Sequence, residues 1–202
     1  MRVFDHWKTW PEARSALQGR LDPATLDALD HAFAFAAGCH GDQVRPAGEP
    51  YTEHLLQVLE VLVDGVGTRD RDTLLAGLLH DVVEDTPCSR DEVAARFGPH
   101  VAELVMWVTK DPAPDGPAAA RARDAYLDRL RAAPDDAIAV KLADRLSNVQ
   151  KLDEHPRVEK QRSYARETID RVVPLTARDP WFARWFDEWR AHFADLAGAA
   201  ES

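Results

Sequence analysis

Between residues 73 and 83 the chain carries Leu74, Leu75, Ala76, Leu78, Leu79, Val82 and Val83, an almost unbroken apolar run. A helix of that composition has no face to offer water, so the rest of the chain must pack around it on every side. Yet the run leads straight into His80-Asp81-Val82-Val83-Glu84-Asp85. Unpartnered ionised carboxylates are costly to bury, by several kcal/mol. These groups therefore either reach solvent or bind something cationic.

The remaining sequence repeats helical spacing in segment after segment and shows no period-2 strand pattern. Helices are expected over residues 22–37 (Leu26, Leu29, Phe33 and Ala37, after an Asp22-Pro23 start) and 51–63 (Leu55, Leu59 and Leu62). They are also expected over 89–97, where Ser89 and Glu92 form a capping box, and over 99–108. Residues 111–117 (DPAPDGP) are a loop of turn formers, after which helices resume at 118–132, 135–153, 158–173 and 180–196. The last carries Trp181, Trp185 and Trp189 at i, i+4, i+8, a stripe suited to core or to a subunit interface, which leaves a homo-oligomer open. With no repeat and no linker, the 202 residues are expected to form one all-α domain, the C-terminal helix being accessory.

Composition narrows the partners. A formal charge of −10 argues against nucleic acid or an anionic membrane as the main partner, but a few focused cations can still bind an anionic small molecule. Two cysteines, Cys39 and Cys88, are too few for a disulfide scaffold. The first residues lack a signal-peptide apolar run, and no apolar stretch reaches the roughly 18 residues of a membrane span. The expectation is a soluble, cytoplasmic protein.

His80 and Asp81 gain meaning from two other positions. His54 stands early in the 51–63 helix beside Leu55 and Leu59, and Asp144 interrupts Ile138-Ala139-Val140-Lys141-Leu142-Ala143. Three helices thus each present a metal-capable side chain where packing alone prefers an apolar one. Two imidazoles and two carboxylates suit Mn²⁺, Fe²⁺ or Zn²⁺. They leave coordination positions for water and a substrate oxygen, as hydrolytic chemistry requires. Glu84, one turn beyond His80, is the candidate for accepting the water's proton, with Asp85, one turn beyond Asp81, behind it. The alternative for that pair is a solvated helix end, although carboxylates there oppose the helix dipole.

Arg45, Lys141 and Arg145 are candidate phosphate clamps, with a salt bridge near Asp144 the alternative for the last two. Lys110 and Arg162 are further cations of this kind. His40 reads as a capping or packed histidine, and Tyr51 as core or pocket lining.

These residues lie in segments that resemble a known family. In order they are HGDQVRPAGEPYTEH (40–54), LLHDVVEDT (78–86), FG (97–98), WVTK (107–110), VKLADRLSN (140–148) and YARETIDRVVPL (164–175). Over roughly residues 30–176 they resemble the HD-type hydrolase domain of the RelA/SpoT family and the stand-alone small alarmone hydrolases. The resemblance implies that His54, His80, Asp81 and Asp144 hold a metal ion, usually Mn²⁺. It implies that Glu84 and Asp85 activate or orient water, and that Arg45 and Asn148 contact the nucleotide. The implied reaction removes the 3′-pyrophosphate from guanosine tetra- or pentaphosphate. Nothing beyond about residue 173 resembles the family's synthetase or regulatory domains, so a hydrolase-only form is expected.

The chain also departs from the pattern. Pro46 and Ala47 stand where the family has Lys and Ser, Ser147 where it has His, and Lys151 where it has Thr. All four positions are expected to lie near the nucleotide. Two alternatives follow: hydrolysis of another phosphorylated nucleotide, such as a nucleoside phosphate or NADPH, and a catalytically silent nucleotide-binding module.

Overall fold

A computed structural model of the chain describes residues 1–111 and 116–198. Its elements run α1 (Trp10–Leu17), α2 (Pro23–His40), α3 (Tyr51–Glu60), α4 (Arg71–Leu79), α5 (Val82–Asp85), α6 (Arg90–Phe97) and α7 (Pro99–Val108). They continue with α8 (Pro117–Arg129), α9 (Asp135–Val149), α10 (Val158–Glu167), α11 (Pro180–His192) and α12 (Ala194–Gly198). No strand occurs among the described residues, as the all-α expectation requires. Residues 112–115 of the expected loop lie outside the described residues.

The apolar run sits at the centre. Every residue of α4 from Thr73 to Leu79 is buried, and the helix packs against α2, α3, α7 and α9. It starts on Asp70, whose carboxylate accepts from the Thr73 amide at 2.8 Å, so one orphan donor of the first turn is satisfied. Gly77 lets the neighbouring element approach closely: a Cβ there would stand 2.6 Å from Leu62.

The sequence pattern runs one helix through to Val83, but the structure ends it at Leu79. His80 turns its Nδ1 to the Gly77 carbonyl at 2.9 Å, in the region where an uninterrupted helix directs carbonyls to amides one turn on. Asp81 bends to φ −104°, ψ −3°, and α5 restarts at Val82. The break brings both side chains of the His-Asp pair to one place. Two other long helices also end in wider turns: α3 passes into a π-helix, Val61–Val66, closed by Gly67 at φ 82°, and α10 passes into Thr168–Val172. α1 was not anticipated from the pattern; a Thr9/Glu12 capping box starts it.

The buried apolar residues, from Phe4 to Phe193, form one contiguous cluster. The tryptophan stripe belongs to it. The Trp189 indole donates to the Val149 carbonyl at 2.9 Å, Trp185 to the Arg2 carbonyl at 2.7 Å, and Trp181 meets Phe4 edge-on. α11 thereby packs into the core and holds the extended amino-terminal segment. Among the described residues no helix is long and apolar enough to cross a membrane.

Candidate metal centre and adjoining cleft

His54 comes from the first turn of α3, His80 and Asp81 from the break after α4, and Asp144 from the third turn of α9. Their ligand-capable atoms all lie within 4.8 Å of one another. His54 Nε2 is 3.1 Å from His80 Nε2, 3.6 Å from Asp81 Oδ2 and 3.5 Å from Asp144 Oδ1. His80 Nε2 is 2.9 Å from Asp81 Oδ2 and 3.7 Å from Asp144 Oδ1. Donors about 2.0–2.2 Å from one ion stand roughly 3–4 Å from each other, and these distances match.

The hydrogen bonds behind the imidazoles fix where their lone pairs point. His80 Nδ1 faces a carbonyl and so carries the proton. The Ser147 hydroxyl donates to Gln57 Oε1 at 2.6 Å, so it accepts from His54 Nδ1 at 2.8 Å. Both Nε2 atoms are then unprotonated in the neutral rings and face each other between two carboxylates. Such a constellation requires a cation, a proton or a metal ion, and backing of each ring by a carbonyl or hydroxyl is characteristic of metal-ligating histidines.

The electrostatics agree. Burial opposes charge on His80, but the Asp81 and Asp144 carboxylates hold its pKa up at about 10. Burial likewise opposes ionisation of the two acids; His80 beside Asp81, and Lys141 beside Asp144, nevertheless keep both well below the usual carboxylate range.

A cleft of about 880 Å³ opens on this cluster, lined by Tyr51, Glu84, Asp85, Lys110, Lys141 and Arg145 among others. Asn148 lines it and also a smaller cavity of about 90 Å³, walled by Asp5, Lys8, Arg45, Pro46, Ala47 and Lys151. The sequence candidates are thus brought together, and most are already paired. Arg45 donates to Asn148 at 3.0 Å and to Gln57 at 3.2 Å, and Asn148 donates to Asp144 at 2.6 Å. Lys141 Nζ lies 2.7 Å from Asp144, and Arg145 bonds Glu167 at 2.5 Å, both within the cleft wall. Lys110 grips Glu84 through its amide at 2.9 Å and its ammonium at 2.5 Å. Arg162 is exposed on α10 and does not line the cleft.

Asp85 is held differently from Glu84. Burial, then the nearby Asp81 charge, raise its pKa above the ordinary carboxyl value. The Tyr51 hydroxyl stands 2.5 Å from Asp81 Oδ2 and 3.0 Å from Asp85 Oδ2, and burial holds its proton on. Behind it, the His40 ring stacks on Tyr51 at 4.4 Å, so His40 is packed as its sequence context suggests.

Sequence reasoning missed Gln57 and the part Ser147 plays. Ser147 lines the smaller cavity beside Arg45 and Asn148, and its hydroxyl is also engaged by His54 and Gln57. Gln57 interrupts Leu55-Leu56-Gln57-Val58-Leu59 at a buried position, the same signal that marked Asp144.

The HD domain profile matches residues 32–182. The chain belongs to the HD-domain family. A guanosine-3′,5′-bis(diphosphate) 3′-pyrophosphohydrolase of Aquifex aeolicus is 38% identical over 160 residues, covering 77% of this chain and 22% of that protein. A GTP pyrophosphokinase of Myxococcus xanthus is 38% identical over 159 residues, covering 76% and 21%. This HD-domain chain therefore spans about a fifth of the length of the curated relatives it matches. Among solved structures, a metazoan ortholog of SpoT that hydrolyzes ppGpp superposes with a TM-score of 0.74 at 28% identity, over 82% of this chain and 94% of that one. The RelA/SpoT resemblance read from the motifs is borne out by these relatives.

Proposed function

We propose that this chain is a metal-dependent phosphohydrolase that removes the 3′-pyrophosphate of guanosine tetraphosphate or pentaphosphate, leaving GDP or GTP. The observation that carries the metal-dependent part is the meeting of two imidazole Nε2 atoms and two carboxylates within one coordination radius, at the floor of a cleft walled by Lys110, Lys141 and Arg145. The guanosine part draws on the Aquifex relative and the metazoan structure, both named for that reaction. His54, His80, Asp81 and Asp144 are the ligands, and Mn²⁺ is the ion the resemblance favours. A cytoplasmic site of action goes with such a substrate.

When bound, a divalent ion supplies a Lewis acid for the phosphoryl group and the attacking water. The chain's own residues do the rest. Asp85, its carboxyl held up by burial and by Asp81, takes the water's proton, and the Tyr51 hydroxyl keeps it aligned beside Asp81. Glu84, fixed by Lys110, completes the acidic pair. Lys141 and Arg145 offset phosphate charge from the cleft wall, while Arg45 and Asn148 stand where cleft and smaller cavity join.

The test is release of pyrophosphate from guanosine tetraphosphate, and of orthophosphate from nucleoside monophosphates and NADPH, each with Mn²⁺. A clear preference in kcat/KM for guanosine tetraphosphate is expected. Equal rates for the others would favour the second reading, a relative acting on another phosphorylated nucleotide. The exposed Pro46 and Ala47 on the smaller cavity, which offer neither cation nor hydroxyl, support that reading. Absence of any turnover with metal bound would leave the silent binding module.

A further inference from the structure

We propose that Asp5, in the amino-terminal segment outside the matched domain, is a positioning residue for the metal centre, acting on His54 through Gln57 and Ser147. The proposal rests on the metal-site reading above.

The geometry forms one directed chain. The Asp5 carboxylate can only accept, so Gln57 turns its Nε2 towards Oδ1 at 3.0 Å. That choice leaves Gln57 Oε1 as an acceptor, taken up by the Ser147 hydroxyl at 2.6 Å and by Arg45 at 3.2 Å. With its one proton spent, Ser147 Oγ must accept, and His54 Nδ1 is the donor at 2.8 Å. The proton is thereby fixed on Nδ1 and the lone pair on Nε2, aimed at the other three ligands. Gln57, Ser147 and His54 are buried, and the links from Asp5 to Ser147 run along the wall of the smaller cavity. If the Gln57 amide turned over, the Ser147 proton would be freed to donate to His54 Nδ1, and the His54 proton would then sit on Nε2, where it competes with the ion. Asp5 opposes that turn from the Nε2 side, as Arg45 does from the Oε1 side.

The segment carrying Asp5 is held as a fixed part of the fold. Gln150 clamps the residue before it, accepting from the Phe4 amide at 2.8 Å and donating to its carbonyl at 2.9 Å. Glu60 clamps the residue after it, accepting from the His6 amide at 3.0 Å and pairing with its ring at 2.6 Å. Gln150 and Glu60 are both buried polar groups, and these contacts account for their presence in the core. Phe4 and Trp7 anchor the segment from either side. Asp5 itself takes further hydrogen bonds from Lys151, at 2.6 Å, and from Lys8, which keep it ionised.

Three variants of the full chain, Asp5→Ala, Asp5→Asn and Ser147→Ala, test this through Mn²⁺ dissociation constants and the thermal midpoint of the metal-free protein. Loss of a group that orients a metal ligand costs about 10–100-fold in affinity, and that loss is expected for Asp5→Ala and Ser147→Ala. Combining them should cost little more than the larger single loss, because both cut the same chain. Asp5→Asn keeps an acceptor for Gln57 and should retain most of the affinity. The ¹⁵N shifts of His54 in the metal-free Asp5→Ala protein should show its proton moving towards Nε2. An Asp5→Ala protein with a lowered midpoint but wild-type Mn²⁺ affinity would reduce Asp5 to a structural tie and overturn the proposal alone. Wild-type protein that binds no divalent ion would overturn it together with the metal-site reading.

Discussion

Lys141 and Asp144 lie one turn apart on α9, with Nζ 2.7 Å from Oδ2 and both side chains buried. A charge this deep in the fold is tolerable only beside its partner. Lys141→Met removes the cation and leaves Asp144 to His80, His54 and Asn148. Breaking a buried pair on one side costs about 3–5 kcal/mol, so the metal-free variant should melt well below wild type. Mn²⁺ at the adjacent site replaces part of the missing positive charge and should recover part of the loss. Thermal melts with and without Mn²⁺ measure both effects; a variant equally stable with and without Lys141 would show that Asp144 draws its support elsewhere.

Asp81 and Glu84 sit three residues apart and predict different losses. Asp81→Ala deletes an oxygen 2.9 Å from His80 Nε2 and should abolish metal content and turnover together. Glu84 is turned towards Lys110, so Glu84→Gln should leave the metal in place and slow hydrolysis. Metal analysis beside single-turnover kinetics separates the two, and turnover surviving Asp81→Ala would rule out the assigned ligand set.

Tyr51 contributes one hydroxyl to two carboxylates, at 2.5 Å from Asp81 and 3.0 Å from Asp85. Hydrogen bonds to charged groups contribute about 1.5–3 kcal/mol, equivalent to roughly 10–100-fold in rate if felt in the transition state. Tyr51→Phe preserves the stack on His40 and should lower kcat by that order while metal content holds. An unchanged kcat would show that Asp85 needs no alignment from this side.

The site was legible in the sequence to the extent that it broke a pattern. His54, His80, Asp81 and Asp144 all interrupt apolar helical runs, and the periodicity that predicts α3, α4 and α9 also exposes the intruders. Gln57 breaks the α3 run in the same way, but an amide in a helix has many explanations until its partners are seen. What periodicity does not carry is long-range pairing. Ser147 reaches His54 across 93 positions and Asp5 reaches Lys151 across 146, and neither contact leaves a local trace. The break at His80 has no counterpart in the pattern for another reason: the apolar residues on either side keep their spacing across the bend at Asp81.

The last prediction concerns pH. In the metal-free protein the Asp81 and Asp144 carboxylates outweigh burial and hold His80 up at about 10, against 6.5 for a free histidine. His80 therefore keeps a proton at neutral pH, and an ion that takes Nε2 must displace it. One proton released per ion makes apparent affinity rise about tenfold per pH unit while His80 remains protonated beforehand. The metal-free fold responds in the opposite sense. A raised histidine pKa contributes stability that is complete below 6.5 and is lost as pH climbs through about 10. Going from pH 6 to pH 9 should thus strengthen Mn²⁺ binding while weakening the metal-free protein, and the gap between melts with and without Mn²⁺ should widen. Titrations at pH 6, 7 and 8 giving the same dissociation constant would show that no proton leaves, and that His80 meets the ion already neutral.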